Sequence, residues 1–131
     1  VLRQLARACS YLSVHGLVHR DLRACNVQLC RRGPACEARL LDLGVAVAAE
    51  EWARCSTSPA IRVFEKTRVV KGYDWLPWEV RAGGVNFEWP AHSFDAFSLG
   101  ALWLELAAGK AGARQALARL EAGEAWAAAA A

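Results

Sequence analysis

The chain has 131 residues, enough for one hydrophobic core and too few for two ordinary domains. Hydrophobic residues make up 55% of it, a composition that indicates a globular protein and excludes a disordered one. The net charge is only +3, and the basic residues form no stripe, so we expect no nucleic-acid partner.

The cysteines and the apolar runs bear on the compartment. Five cysteines without a CxxC pair predict free thiols in a reducing compartment, so we expect a cytoplasmic protein. Zinc ligation by Cys25, Cys30 and Cys36 is disfavoured by their spacing and by the lack of a fourth ligand. Glu105 interrupts the best apolar run, so no membrane span is predicted here, although a longer parent can carry an anchor elsewhere.

The first predicted element is an amphipathic helix from Val1 to His15. Its apolar stripe consists of Leu2, Leu5, Cys9 and Leu12. Gly16 stands where a left-handed cap ends such a helix. Since the chain opens inside this helix and contains no methionine, we expect it to be a fragment of a longer polypeptide.

A dense polar stretch follows, between two apolar runs. The segment His19-Arg20-Asp21-Leu22-Arg23-Ala24-Cys25-Asn26-Val27 holds a carboxylate, an amide and two guanidinium groups. One interpretation is a turn in which Asp21 and Asn26 bond only their own backbone. The spacing H-R-D-L-x-x-x-N, however, resembles the catalytic loop of protein kinases. Arginine and alanine, two and three places after the aspartate, resemble Src-type tyrosine kinases and tyrosine-kinase-like kinases.

A hairpin and a second carboxylate come next. The short apolar runs 27–30 and 38–41 flank a turn at Arg31-Arg32-Gly33-Pro34, which predicts two paired strands. Asp42-Leu43-Gly44 comes directly after the second strand, where the kinase family places D-F-G. Leu43 keeps an apolar side chain at the position of the phenylalanine.

Residues 45–74 lose all periodicity and gather hydroxyl and basic side chains. A loop of about thirty residues is uncommon in a compact domain unless it is functional. The resemblance implies an activation segment, in which a phosphate on one hydroxyl pairs with arginines, Arg20 among them. A solvated polar loop without modification is the simpler alternative.

Two further motifs complete the resemblance. Trp75-Leu76-Pro77-Trp78-Glu79 resembles the W-x-A-P-E of tyrosine kinases, with Trp78 in place of the proline. Gly72 occupies the position where Ser/Thr kinases usually carry threonine. The segment from His92 to Gly100 resembles D-V-W-S-F-G and opens a helix from Asp95 to Ala108 that is apolar nearly all round, so it belongs in the centre of a fold.

The carboxylate that opens this helix has two interpretations. Asp95 is stabilised by the helix dipole at an N-terminus. The resemblance implies, in addition, that it bonds the backbone around Arg20. Gly109 is predicted to end the helix, and the alanine-rich residues 111–131 have little to bury.

The resemblance implies a fold and a chemistry. The fold is α+β: the mainly helical C-terminal lobe of a kinase-like domain with a short hairpin beside the catalytic loop, over residues 1–110, followed by a low-complexity tail over 111–131. The implied activity is transfer of the ATP γ-phosphoryl group to a protein hydroxyl, with Mg²⁺ as cofactor. Tyrosine or dual specificity is favoured over Ser/Thr.

The implied site residues each have one task. Asp21 accepts or orients the proton of the substrate hydroxyl, and Arg23 stabilises the transferring phosphate. Asn26 and Asp42 hold Mg²⁺. Structural support comes from five residues: His19 as a packing link to Leu43, Arg20, Leu43 itself, Glu79 and Asp95.

One departure from the family pattern opens a second hypothesis. The glycine-rich loop and the strand lysine of the family have no counterpart in these 131 residues. We therefore expect the isolated chain neither to bind ATP tightly nor to transfer phosphate. The alternative for the parent is a pseudokinase or truncated kinase-like module that binds partners without catalysis.

Overall fold

The computed structural model describes residues 1–51, 75–77 and 90–123. These parts contain the helices α1 (Leu2–Val14) and α2 (Ala91–Glu121) and two antiparallel sheets of two strands each. The strands are β1 (Leu17–Val18), β2 (Val27–Arg32), β3 (Ala35–Leu40) and β4 (Val47–Ala48), and a 3-10 turn at Ala24–Asn26 precedes β2. The α+β fold class predicted from the sequence is confirmed.

Helix α1 has nearly the predicted bounds and holds the hairpin. It ends ahead of Gly16, whose φ of 69° is the left-handed value that the sequence led us to expect. Leu5 on its apolar stripe is buried. Gln4 reaches β3, where its Nε2 donates to the Cys36 carbonyl (3.1 Å) and its Oε1 accepts from the Ala38 amide (2.6 Å). The side-chain amide thus satisfies two backbone groups on an open strand edge.

The hairpin of β2 and β3 confirms the predicted pair of strands. Its ladder runs from Val27 opposite Leu40 to Arg32 opposite Ala35. The turn needs only two residues, because Gly33 adopts a φ of 60° that other residues rarely reach. The strands therefore extend closer to the turn than the apolar runs indicated.

A small core joins segments that are far apart in the chain. Val18 of β1, Leu76 and Phe94 of α2 are buried against one another. Burial of one such side chain contributes about 1.5–3 kcal/mol. The pairing of β1 with β4 brings Val47 and Ala49 onto the same cluster. The core thereby places Val18, and with it the start of the polar segment 19–27, against α2.

Helix α2 differs from the prediction in two respects. It begins at Ala91, directly after Pro90, and its helical geometry is interrupted at Gly109 (φ 70°, ψ 172°) before it resumes. The predicted all-round burial is wrong for Trp103 and Leu106, which are 60% and 49% exposed. The buried side chains of its first part are Phe94, Asp95, Ser98, Ala101 and Leu102.

The helix continues into the alanine-rich region. After Gly109 it runs to Glu121 and buries Ala113 and Leu117, contrary to the expectation that this region has little to bury. After the bend at Gly109, Ala113 and Leu117 line the same cavity as Ala101 and Leu102 of the first part. The domain boundary at residue 110 stays a prediction. Among the helices of the described ranges, none has the length and hydropathy of a membrane span.

Candidate active site

Asp21 lies at the centre of a group of polar contacts between β1 and the 3-10 turn. It is buried, and its Oδ2 accepts a hydrogen bond from Asn26 Nδ2 at 2.7 Å. The same Nδ2 donates to the Asp21 carbonyl at 2.8 Å. Since one amide group holds both the side chain and the main chain, the orientation of the carboxylate is fixed.

Arg23 and Trp75 complete the surroundings of this carboxylate. Arg23 Nε lies 3.2 Å from Asp21 Oδ2, and Trp75 Nε1 donates to Asp21 Oδ1 at 3.3 Å. The Arg23 guanidinium also lies over the indole ring, 4.9 Å from its centroid. Arginine and tryptophan therefore stabilise both the carboxylate and each other.

Trp75 is itself anchored to α2. Its carbonyl accepts a hydrogen bond from the buried Ser98 hydroxyl at 2.7 Å, and the neighbouring Leu76 is completely buried. The sequence indicated Trp75 only as part of a motif and gave Ser98 no role. Nothing in the local pattern pairs an indole with a carboxylate 54 residues away, so this contact was missed.

His19 connects the loop to the end of the hairpin. The Asp21 amide donates to its Nδ1 (3.2 Å), and its Nε2 lies 3.1 Å from the Leu41 carbonyl. A backbone amide only donates and a carbonyl only accepts, so the ring proton resides on Nε2. The buried ring is a structural link that contacts the Leu41 backbone, and its packing against the Leu43 side chain stays a prediction.

Asp95 ties the loop to α2. Its Oδ2 accepts from the His19 amide at 2.7 Å and its Oδ1 from the Arg20 amide at 2.9 Å. Burial raises the pKa of the Asp95 carboxyl, and these two hydrogen bonds together with the neighbouring charges partly offset the rise. Through its two carboxylate oxygens, Asp95 thus joins α2 to the backbone of His19 and Arg20.

Arg20 and Asp42 carry unusual backbone angles. Among the described non-glycine residues they are the ones with positive φ, at 69° and 63°. Such conformations are costly for residues with a Cβ and are concentrated at functional sites. The buried Arg20 donates from Nη1 to the Val45 carbonyl at 3.3 Å, which lies at the start of the predicted activation segment.

The hairpin register brings Asn26 and Asp42 to one end of the strands. The Leu41 amide donates to the Asn26 carbonyl at 2.8 Å, which extends the ladder by one step beyond Val27 and Leu40. Asp42 is the next residue along. Its Oδ1 accepts from the Gly44 amide at 3.0 Å, so the aspartate closes its own turn.

The donor set at this end fits a magnesium ion. The Asn26 Nδ2 group donates both of its hydrogen bonds to Asp21. Within the described residues, the Asn26 Oδ1 atom has only the 3.7 Å contact with Cys25 Sγ. An amide oxygen and the exposed Asp42 carboxylate are hard oxygen ligands of the kind Mg²⁺ takes. No group of three or more His, Cys, Asp or Glu forms in the described ranges, but magnesium usually needs only one or two carboxylates beside substrate phosphates.

Two of the predicted supporting residues are Leu43 and Glu79. Leu43 is 54% exposed in this structure, and its packing role stays a prediction. The chain leaves β3 through the positive φ of Asp42 and turns immediately, with the Ala46 amide bonded to the Leu43 carbonyl. Glu79, Trp78 and most of the predicted activation segment lie outside the described residues.

Comparison with known proteins agrees with these motifs. A family model described as protein tyrosine and serine/threonine kinase matches residues 1–122. The match includes every predicted site residue and extends past residue 110. No solved structure gives a significant match to the chain.

Proposed function

Because the chain belongs to the protein tyrosine and serine/threonine kinase family, we propose that the protein carrying it transfers the γ-phosphoryl group of ATP to a protein hydroxyl. The observation that supports this activity best is the buried Asp21 carboxylate, held at 2.7 Å by the amide of Asn26. Asp42 follows the strand that pairs with the one after Asn26. Three of the side chains that phosphoryl transfer needs thus belong to one connected unit.

In this proposal Asp21 orients the substrate hydroxyl and accepts its proton. Arg23, which already lies beside the carboxylate, contributes positive charge toward the transferring phosphate. Asn26 and Asp42 hold Mg²⁺, which neutralises phosphate charge when bound. The hydrogen bonds to Asp21 keep it oriented, so little reorganisation is needed when the hydroxyl arrives.

The remaining site residues position this group. His19 connects the loop to the strand that precedes Asp42, and Asp95 fixes the backbone on both sides of Arg20. We propose that Arg20 also responds to phosphorylation of the segment that begins at Val45, since its guanidinium already contacts that residue. Glu79 is proposed to support the end of the same segment.

We further propose tyrosine or dual specificity, with the protein close to the Src-type or tyrosine-kinase-like branch. The support comes from the sequence: Arg23 and Ala24 after the catalytic aspartate, Trp75 in its motif, and Gly72 where Ser/Thr kinases carry threonine. A cytoplasmic location and a protein substrate belong to the same proposal.

The test uses the full-length protein that contains this chain. Asp21→Asn keeps the shape of the side chain but removes the base, and we expect kcat to fall about 10²–10⁴-fold. Glu37→Gln, an equivalent change on the outside of the hairpin, serves as the control and leaves kcat unchanged. Phosphate incorporation into a tyrosine-containing peptide is measured. Equal rates for Asp21→Asn and the wild type would refute the proposal.

A non-catalytic binding module is the second candidate. Trp78 at the proline position of the family motif favours it, as does the Trp75 indole bonded to Asp21 Oδ1. This alternative predicts partner binding without phosphate transfer. Mg²⁺-dependent nucleotide binding that is lost in Asp42→Ala supports the kinase, whereas absent nucleotide binding supports the module.

The isolated chain is proposed to be inactive. The glycine-rich loop and the strand lysine that hold the phosphates in kinases are not among its 131 residues. ATP turnover by the isolated chain, abolished by Asp21→Asn, would show this proposal to be wrong.

A further inference from the structure

The Gln4 side chain joins α1 to the hairpin by taking the place of a neighbouring strand. Its Nε2 donates to the Cys36 carbonyl at 3.1 Å, and its Oε1 accepts from the Ala38 amide at 2.6 Å. A side-chain amide has the same donor and acceptor as a peptide group. Gln4 therefore pairs with β3 on the edge that faces away from β2.

Two other contacts hold the hairpin at its base. Asn26, directly before β2, donates from Nδ2 to the carbonyl and the carboxylate of Asp21. At the end of β3, the Leu41 carbonyl lies 3.1 Å from His19 Nε2, and Asp42 is the next residue. Both contacts lie at the end of the hairpin that carries the proposed magnesium ligands.

The contact of Gln4 lies farther from this base. Strands rise about 3.3 Å per residue, so Ala38 is about 13 Å from Asp42 along the chain. A contact at that distance opposes rotation of β3 about the base of the hairpin. Because Asn26 is bonded to Asp21, such a rotation displaces Asp42 relative to both residues.

We propose that Gln4 is a positioning residue for the metal site: through β3 it fixes the Asp42 carboxylate relative to Asn26 and Asp21. The inference rests on the proposed kinase function and extends it to a residue of α1 outside the sequence motifs. Gln4 touches neither metal nor substrate. It acts as outer-shell residues do when they orient the ligands of a metal.

The test uses three variants of the full-length protein. Gln4→Met keeps the length and the helix propensity of the side chain but has no amide group. Gln4→Glu keeps the acceptor for the Ala38 amide and loses, when ionised, the donor to the Cys36 carbonyl. Gln115→Met, at an exposed glutamine of α2, is the matched control.

Hydrogen exchange measures the hairpin without any turnover. The Ala38 amide bonds Gln4 directly, whereas the Leu41 amide bonds the Asn26 carbonyl at 2.8 Å, and the substitutions leave that bond intact. In Gln4→Met we expect exchange to accelerate about tenfold at Ala38 and about two- to fivefold at Leu41. Gln115→Met should leave both rates unchanged.

Binding of Mn²⁺ measures the metal site itself. Mn²⁺ replaces Mg²⁺ as a paramagnetic probe and is titrated in the presence of ADP by electron paramagnetic resonance. We expect the Kd to rise about three- to tenfold in Gln4→Met, to rise less in Gln4→Glu, and to stay the same in Gln115→Met. The KM for a peptide substrate should not change, because Asp21 keeps its own contacts.

The outcomes separate this inference from the kinase proposal. Faster exchange at Ala38 alone, with unchanged Mn²⁺ binding, would show that Gln4 only fastens α1 to β3 and would overturn the positioning role. Faster exchange at Ala38 and Leu41 with weaker Mn²⁺ binding supports it. If the protein then transfers no phosphate, only the kinase proposal fails. Absence of Mn²⁺ binding in the wild type overturns both.

Discussion

The indole of Trp75 contributes to the site through one polar atom and one ring face. Its Nε1 donates to Asp21, and its ring lies under the Arg23 guanidinium. The Ser98 hydroxyl and the buried Leu76 hold the tryptophan in place. In the proposed reaction, Trp75 is therefore a positioning residue that acts through the carboxylate it contacts.

Trp75→Phe tests this contribution, because phenylalanine keeps the ring but loses the donor. A single hydrogen bond contributes about 0.5–1.5 kcal/mol, so we expect kcat to fall about two- to tenfold. Steady-state kinetics on the full-length protein should show little change in KM. Trp103→Phe, which alters an exposed tryptophan on α2, is the control. An unchanged kcat in Trp75→Phe would contradict the positioning role.

Cys9 provides a second prediction at a single side chain. Burial raises the pKa of its thiol from 9.0 to about 11, and the charge of Asp95 acts in the same direction. As the pH rises, the unfolded chain therefore loses this proton before the folded chain does. The free energy of unfolding consequently falls as the pH rises from about 9 to about 11. Urea unfolding at several pH values in this range should show a smaller decrease in the free energy of unfolding for Cys9→Ala than for the wild type.

The same thiol should also react slowly. At pH 8 its thiolate fraction is about a hundredfold below that of an unperturbed cysteine, and the side chain is partly buried. Mass spectrometry after brief iodoacetamide treatment should find Cys25 and Cys36 modified before Cys9. Simultaneous modification of all three would show that Cys9 is not shielded.

Helix α2 consists of two parts that meet at Gly109. The backbone there (φ 70°, ψ 172°) lies in a region that essentially only glycine occupies. The bend brings Ala113 and Leu117 into buried positions and places Lys110 and Arg114 beside a cavity that Arg23 and Trp75 also line. The shape of this cavity therefore depends on one residue without a Cβ.

Gly109→Ala should destabilise the protein by about 1–3 kcal/mol, because alanine is strained at these angles. Gly100→Ala is the matched control on the same helix, since its new Cβ meets no atom within 4 Å and its φ is ordinary. There we expect a stabilisation of about 0.5–1 kcal/mol. Urea unfolding compares the two variants, and equal effects would rule out special strain at Gly109.

At the scale of the described molecule, Asp95 joins α2 to the loop that carries Asp21. Each carboxylate oxygen accepts one backbone hydrogen bond, and the partners lie more than 70 residues away in the chain. Together with the core of Val18, Leu76 and Phe94, this contact sets the position of the loop relative to the helix. The position of Asp21 consequently depends on contacts between segments that are far apart in the sequence.

Asp95→Ala removes both acceptors and leaves two buried amides without partners. We expect a loss of about 2–4 kcal/mol of stability and faster hydrogen exchange at the His19 and Arg20 amides. His92→Ala, an exposed change on the same helix, should alter neither quantity. Unchanged protection of the two amides would mean that Asp95 does not hold the loop.

Much of the molecule was predictable because its signals are local. The stripe of α1, the glycine after it and the turn residues of the hairpin lie within a few residues of the structures that they specify. The spacing of Asp21, Asn26 and Asp42 indicated one site, and the hairpin register explains how Asn26 and Asp42 come together. The start of α2 was misplaced by four residues because Pro90 was not used as its boundary.

Other features followed only from packing between distant segments. By itself the sequence determined α1, the hairpin, the candidate residues and, through its motifs, the family. The tertiary structure decided that Trp75 bonds Asp21, that His19 bonds the Leu41 carbonyl, and that the Leu43 side chain is exposed. The physical reason is range: periodicity and turn chemistry act over a few neighbouring residues, whereas these contacts form only when the core brings separate segments together.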